Sequence, residues 1–189
     1  MKDIDFLSFE NQLVELYTKD TSEFEEAESF SLGYIVKELE EFILFLSISE
    51  YGILESIQIR RKNYIENIVS KSEYINMYNF FVKYASTNNK FDPYSLLSSR
   101  IINKSSLKSI LDTVVTLNRI VSIITSTDEN IITGKIIILD TNRMAISLLN
   151  YETSRISEKI TVNLDNVICI DLISIENLLY DKYLDSKND

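Results

Sequence analysis

The chain has 189 residues, 45% hydrophobic and 11% aromatic, enough to bury a sizeable core, so disorder is excluded as a description of the whole. Three Gly and one Pro leave few turn formers and lean the expectation toward helix, while a lone Cys169 and the absence of His exclude an internal disulfide and the usual zinc sets. The net charge of −10 argues against wholesale attraction to nucleic acid or an anionic membrane, yet residues 1–55, 56–110 and 111–189 carry −11, +6 and −5, a basic middle between acidic flanks.

In chain order, Phe6, Phe9, Leu13, Leu16 and Tyr17 recur at steps of three and four, which predicts a helix over 5–19. Ser22 stands three residues before Glu25, the capping-box spacing, so a second helix is expected from about Glu23. Leu32, Ile35, Val36, Leu39, Phe42, Ile43 and Leu46 read as a core helix. Leu54, Ile57, Arg61, Tyr64, Ile65 and Ile68 continue at helical spacing after a break near Gly52, although Ser56 to Ile59 is β-branched enough to be extended. Tyr74, Tyr78, Phe81, Val82 and Ala85 predict a helix over 71–85. A loop at 86–93 contains the only Pro, and Leu107 to Val115 reads as a short amphipathic helix.

From Leu117 the periodicity changes to two. Five short strands are expected, around Ile120–Ile124, Ile131–Leu139, Met144–Leu148, Ile160–Leu164 and Ile168–Leu172, and a terminal helix from Ser174 to Leu184. The unbroken run Ile136-Ile137-Ile138-Leu139 predicts a strand covered on both faces, by the helical region or by a second chain. No internal repeat is visible at any period. The expected fold class is α+β: an N-terminal helical bundle over 1–115, then a five-stranded antiparallel small barrel with a terminal helix over 116–189.

Thr133-Gly134-Lys135 opening a strand that runs to Asp140, Met144-Ala145-Ile146, and Leu164-Asp165-Asn166 before the last strand together resemble the Sm-like and SH3-like small barrels over the C-terminal third. The resemblance implies architecture only. In the Sm-like family, Met followed by Asn and Arg paired with Gly contact RNA; here Ala145 follows Met144 and the second turn reads Leu164-Asp165-Asn166.

No glycine loop for phosphate exists, and no catalytic residue, cofactor or metal is expected. Glu23, Glu25, Glu26 and Glu28 read as a solvated helix start, and Asp140, Asp165 and Asp171 as turn or strand residues rather than a metal site. The one compact basic cluster, Arg60, Arg61 and Lys62 with Tyr64 and then Lys71, supplies candidate contacts for a partner or a phosphate group. Competing with that is an Arg61 packed along its stem and paired with an N-terminal glutamate.

With no signal peptide and no apolar run long enough to span a bilayer, a cytoplasmic location without membrane contact is expected. The functional expectation is a non-catalytic protein-protein interaction or assembly module acting through a protein partner or self-association, as a homo-oligomer for example. A bacterial or phage accessory, inhibitor or immunity factor is one instance of that class. The alternative is a nucleic-acid-binding protein using the basic middle and the barrel.

Overall fold

Strands begin at residue 13 and recur almost to the C-terminus. The computed structural model describes residues 4–19, 30–128 and 130–187. Among them are β1 (Leu13–Thr18), β2 (Phe30–Glu38), β3 (Phe42–Ile48), β4 (Leu54–Arg61), β5 (Ile65–Val69), β6 (Ile120–Thr125), β7 (Ile132–Leu139), β8 (Arg143–Asn150), β9 (Arg155–Asn163) and β10 (Val167–Ser174). Three α-helices accompany them: α1 (Glu73–Thr87), α2 (Leu107–Leu117) and α3 (Ile175–Ser186). All ten strands form one open antiparallel sheet in the order β5-β1-β2-β3-β4-β10-β6-β7-β8-β9.

This overturns the two halves of the expected architecture. There is no N-terminal helical bundle: the predicted helix over 5–19 is a 3₁₀ turn followed by β1, the predicted helix over 32–46 is the β2–β3 hairpin, and 54–68 forms β4 and β5. The C-terminal strands do not form a separate closed barrel, because β10 pairs with β4 on one side and β6 on the other. The Sm-like and SH3-like likeness is thereby withdrawn. The physical reason for the helical misreading is burial on both faces: Phe42, Ile43, Leu44 and Phe45 are each at most 1% exposed, so β3 shows no alternation. The second predicted helix, from Glu23, lies outside the described residues.

The helices at 71–85 and 107–115 are present as α1 and α2. Ser72 and Ser106 cap them, each accepting a backbone N–H three residues on. The terminal helix is present: Ile175 and Leu178 pack against the large core and Asn177 and Asp181 are buried, while Leu179 and Tyr183 stay about half exposed. The Ile136–Leu139 run is not covered on both faces. A bulge separates Ile136 from Ile138, and Ile138 is 61% exposed.

The sheet contains a duplication. β1 to β5 and β6 to β10 share one strand order, one connectivity and a 3₁₀ turn before the fifth strand, at Lys62–Tyr64 and Leu164–Asn166. The correspondence extends to register: Val14 pairs with Gly33 as Val121 pairs with Gly134, and bulges interrupt β2 after Ile35 and β7 after Ile136. Asn11 and Asn118 each hold positive φ just before the first strand of their unit. The spacing of equivalent residues changes along the chain: Val14 to Val121 is 107, Gly33 to Gly134 is 101 and Ile68 to Ile170 is 102. A search for one fixed period therefore fails.

The two glycines have a common cause. A Cβ on Gly33 would stand 2.0 Å from the Leu46 carbonyl oxygen, and one on Gly134 would stand 2.2 Å from that of Ser147. Each unit thus bends its second strand against its third where only hydrogen fits.

Because strands alternate their side chains, the pairing at the β4–β10 seam puts the inner face of the first unit on the same side as the outer face of the second. Two cores result. The larger joins Leu44, Ile57 and Ile59 to Val121, Ile146 and Ile170 beneath α1 and α2; the smaller packs Val14, Leu16, Ile35, Ile43 and Phe45 against Phe6 on the opposite side. Between the smaller core and α3 the second side of the seam is polar, and the candidate site lies there.

Candidate functional site

β4 alternates across the seam. Ile57, Ile59 and Arg61 point to the large core side; Ser56, Gln58 and Arg60 point to the other, beside Cys169 and Asp171 of β10. The adjacent basic residues Arg60 and Arg61 are therefore on opposite faces and do different things.

Arg61 is 8% exposed, and its guanidinium sits over the Phe42 ring at 4.4 Å. Its Nε donates to the Val167 carbonyl at 2.8 Å and its Nη2 to the Leu164 carbonyl at 2.6 Å. Both acceptors belong to the second unit, so Arg61 fastens the two units together. Its ion pair with Glu41, at 3.7 Å, is long and solvent-facing. Lys62 bonds Glu38 at 2.7 Å. Lys71 is exposed just before α1 and is not among the residues lining the seam cavity.

Arg60 instead heads a cavity of about 270 Å³. Its Nε donates to Gln58 Oε1 and its Nη2 to Ser31 Oγ, both at 2.7 Å, while its Cζ lies 5.1 Å from the centre of the Phe45 ring. Thr18, Lys19, Ser31 and Tyr64 line the polar wall, and Ile65, Ile124, Ile168 and Cys169 the apolar one. Lys19 Nζ donates to the Asn63 carbonyl at 2.6 Å, and Lys19 N–H to the Tyr64 carbonyl at 2.8 Å, which holds the end of β1 against the 3₁₀ turn. The structure thus brings Arg60 and Tyr64 to one cavity, which Arg61 also lines although its guanidinium is turned to the Val167 and Leu164 carbonyls. It does not bring Lys62 or Lys71 to them.

Comparison with family models, curated proteins and solved structures finds no match. The chemistry of the site is read from its own residues.

Thr18, Lys19 and Ser31 are the cavity residues that sequence reasoning missed. The helix expected over 5–19 ends at Lys19, and nothing in a helical reading places that residue next to Tyr64. On the β10 side, Asp171 is largely buried; burial pushes its carboxyl upward, opposed by hydrogen bonds from Gln58 and Ser56 and by the charge of Arg60. Its Oδ1 has no hydrogen-bond partner. Cys169 is buried, and desolvation pushes its thiol up to about 12. Asp140 accepts from Thr141, Asp165 accepts from Asn142, and no group of three potential metal ligands occurs among the described residues.

A second surface feature lies on α1. Met77, Phe80 and Tyr84, at steps of three and four, are 44%, 65% and 64% exposed, while Ile75, Tyr78 and Ala85 hold the helix to the sheet. Rings in contact run from Tyr17 through Phe30, Tyr74, Tyr78 and Phe81 to Phe80 and Tyr84, at centroid distances of 4.5–6.4 Å. Phe80 and Tyr84 are thus the exposed end of a ladder anchored in β1.

Proposed function

We propose that the chain is a non-catalytic protein-binding module whose contact surface is the exposed face of α1. The observation that carries this is the stripe of Met77, Phe80 and Tyr84, held out to solvent on a helix fastened to the sheet. Large aromatic side chains exposed together at helical spacing cost solvation and suit a partner's apolar surface. Exposed Lys71, Lys83 and Lys90 lie on or next to the same helix, within the segment of net charge +6. The partner chemistry that fits is an apolar patch rimmed by carboxylates.

The nucleic-acid reading draws less support, since Arg61 and Lys62 are engaged within the chain and Lys71 stands apart from Arg60. No membrane contact enters the proposal; among the described residues no helix is long and apolar enough to cross a membrane.

The test is affinity capture from the native host with the wild-type chain and with Phe80→Ser/Tyr84→Ser, followed by mass spectrometry and a binding isotherm on the purified partner. A partner retained by the wild type and lost by the variant at unchanged secondary structure is expected, with affinity falling as salt rises and on Lys83→Glu. A partner retained equally by both chains would refute the assignment of α1.

A further inference from the structure

Because the two units repeat one plan, each serves as a control for the other. α1 and α3 hold the same place: each follows the fifth strand of its unit and is capped by a serine, Ser72 or Ser174, that accepts a backbone N–H three residues on. Counted from those caps, Met77 corresponds to Leu179, Phe80 to Lys182 and Tyr84 to Ser186. Lys182 and Ser186 are exposed, as surface positions of a packed helix normally are. The fold therefore does not need rings at positions 80 and 84, and the aromatic stripe is peculiar to α1.

The stripe has the spacing of a helix pair. Glu73, Met77, Phe80, Tyr84 and Thr87 follow at steps of four, three, four and three, the alternation of a two-helix seam, and all five are exposed. Ile75, Tyr78 and Ala85 occupy the opposite side and hold the helix to the sheet. Charge is divided along the helix: Glu73 stands in the first turn, while Lys83 lies in the C-terminal half and Lys90 just past the end. A helix with an acid at its start and bases toward its end complements itself when turned end for end, and the opposed helix dipoles add to that preference.

We infer that the occupant of the α1 stripe is a second copy of this chain, with the two α1 helices packed antiparallel about a two-fold axis at Phe80. In that arrangement Met77 of one copy faces Tyr84 of the other, and Phe80 faces Phe80. Lys83 lies beside Asn76 of the other copy and within about one helical turn of its Glu73. A parallel pair would instead set Lys83 against Lys83 and Glu73 against Glu73. The inference rests on the reading of α1 as the contact surface and names its partner: each copy supplies both the apolar patch and the carboxylate that this surface asks for. Two-fold pairing is also the commonest form of self-association. The 15 residues of α1 span about 22 Å. Two such faces bury less than the roughly 1,200 Å² of a standard interface, so a weak dimer with Kd on the order of 10 µM is expected.

The experiment is sedimentation equilibrium of the full chain from about 1 to 500 µM, with circular dichroism as the check on folding. Phe80→Lys/Tyr84→Ser gives α1 the residues that α3 carries, and dimer affinity should fall at least about tenfold. Lys83→Glu and Glu73→Lys should each weaken the dimer severalfold by setting like charges together, and the double exchange should restore it. A wild type that stays monomeric throughout, a dimer undiminished by Phe80→Lys/Tyr84→Ser, or a charge exchange that fails to restore affinity would each overturn the inference. If the aromatic variant does not fold, the charge-exchange series alone decides. The two readings separate cleanly. A monomeric wild type that still captures another protein through Phe80 and Tyr84 sinks the second copy as partner and keeps α1 as the contact surface; a monomeric wild type whose captured proteins ignore those residues sinks both.

Discussion

Replacing Arg61 by Met tests how the two units are held together. The side chain donates two charge-assisted hydrogen bonds to the Leu164 and Val167 carbonyls, at 2.6 and 2.8 Å, and covers the Phe42 ring at 4.4 Å. Hydrogen bonds to charged groups contribute roughly 1.5–3 kcal/mol each, and a desolvated cation over a ring about 1–2 kcal/mol. Against this, Met packs on Phe42 and removes the cost of burying a guanidinium, so the net loss should be about 3 kcal/mol rather than the full sum. For a chain of this size that corresponds to a melting temperature lower by about 6–12 °C. Urea unfolding measures the loss, and hydrogen exchange of residues 164–170 should quicken more than exchange within β1 and β2. The Glu41 partner is 71% exposed at its side chain and should contribute little, so Glu41→Gln is the control. A loss under about 1 kcal/mol for Arg61→Met, or an equal loss for Glu41→Gln, would refute the view that Arg61 acts through the two carbonyls.

Gly134→Ala should cost more than about 2 kcal/mol, because its Cβ would meet the backbone of Ser147 in the paired strands β7 and β8; near-wild-type urea stability would show that the bend relaxes freely. Lys135→Met removes the ion-pair partner of the buried Asp181 at 3.3 Å and leaves it the Ile120 backbone N–H at 3.2 Å and the longer Arg119 contact at 3.7 Å. A loss of about 3 kcal/mol and faster proteolysis at α3 are expected, and an unchanged unfolding curve would contradict the pairing. Asp171→Asn should stabilise the chain near neutral pH. The folded carboxyl titrates above its ordinary 3.8, so between that value and its raised one the folded state binds more protons than the unfolded. Stability from this group therefore falls as pH rises through that interval and stays lowered above it. The variant should flatten that slope in acid-to-neutral urea titrations, and a variant less stable than wild type at neutral pH would reverse the argument.

What was legible in the sequence follows from how each strand is buried. β8 and β9 announce themselves because Met144 and Ile146 alternate with Arg143, Ala145 and Ser147, and Ile160 and Val162 with Lys159, Thr161 and Asn163, while in β6 it is Ser122 that alternates with the buried Val121 and Ile123. In the first unit β3 lies between two cores, so it is apolar from Phe42 to Leu46 and Leu32 to Leu46 passes for a helical stripe. The hairpin turns also lack signals: β2 and β3 are joined at Leu39-Glu40-Glu41, with Leu39 N–H donating to the Phe42 carbonyl and no Gly or Pro. The basic cluster was visible as a cluster, but its division was not. Only the strand assignment of β4 reveals that Arg60 and Arg61 face opposite sides. Lys19 and Ser31 could join the site only once β1 and β2 were known to be neighbours.

The duplication also explains why the two outer edges are not copies of the seam. At the seam Ile57 faces Ile173, and Arg61 reaches across to the second unit. Carried over to the far edges, the same register would set Lys159 of β9 opposite Lys71 beyond β5, and Asn163 stands where Arg61 stands. Like charges directly opposite are destabilising, and Lys on an edge strand discourages added strands. Asn163 uses its side chain locally, accepting from the Asp165 backbone. The strand pairing between the two units is therefore confined to β4 and β10, and the same differences that end the sheet at β5 and β9 leave Arg60 and Asp171 together at its centre. Growth of the sheet by further copies in this register is opposed by its own edges. A partner of the kind proposed would then meet surfaces outside the strand edges, such as the α1 stripe of Met77, Phe80 and Tyr84.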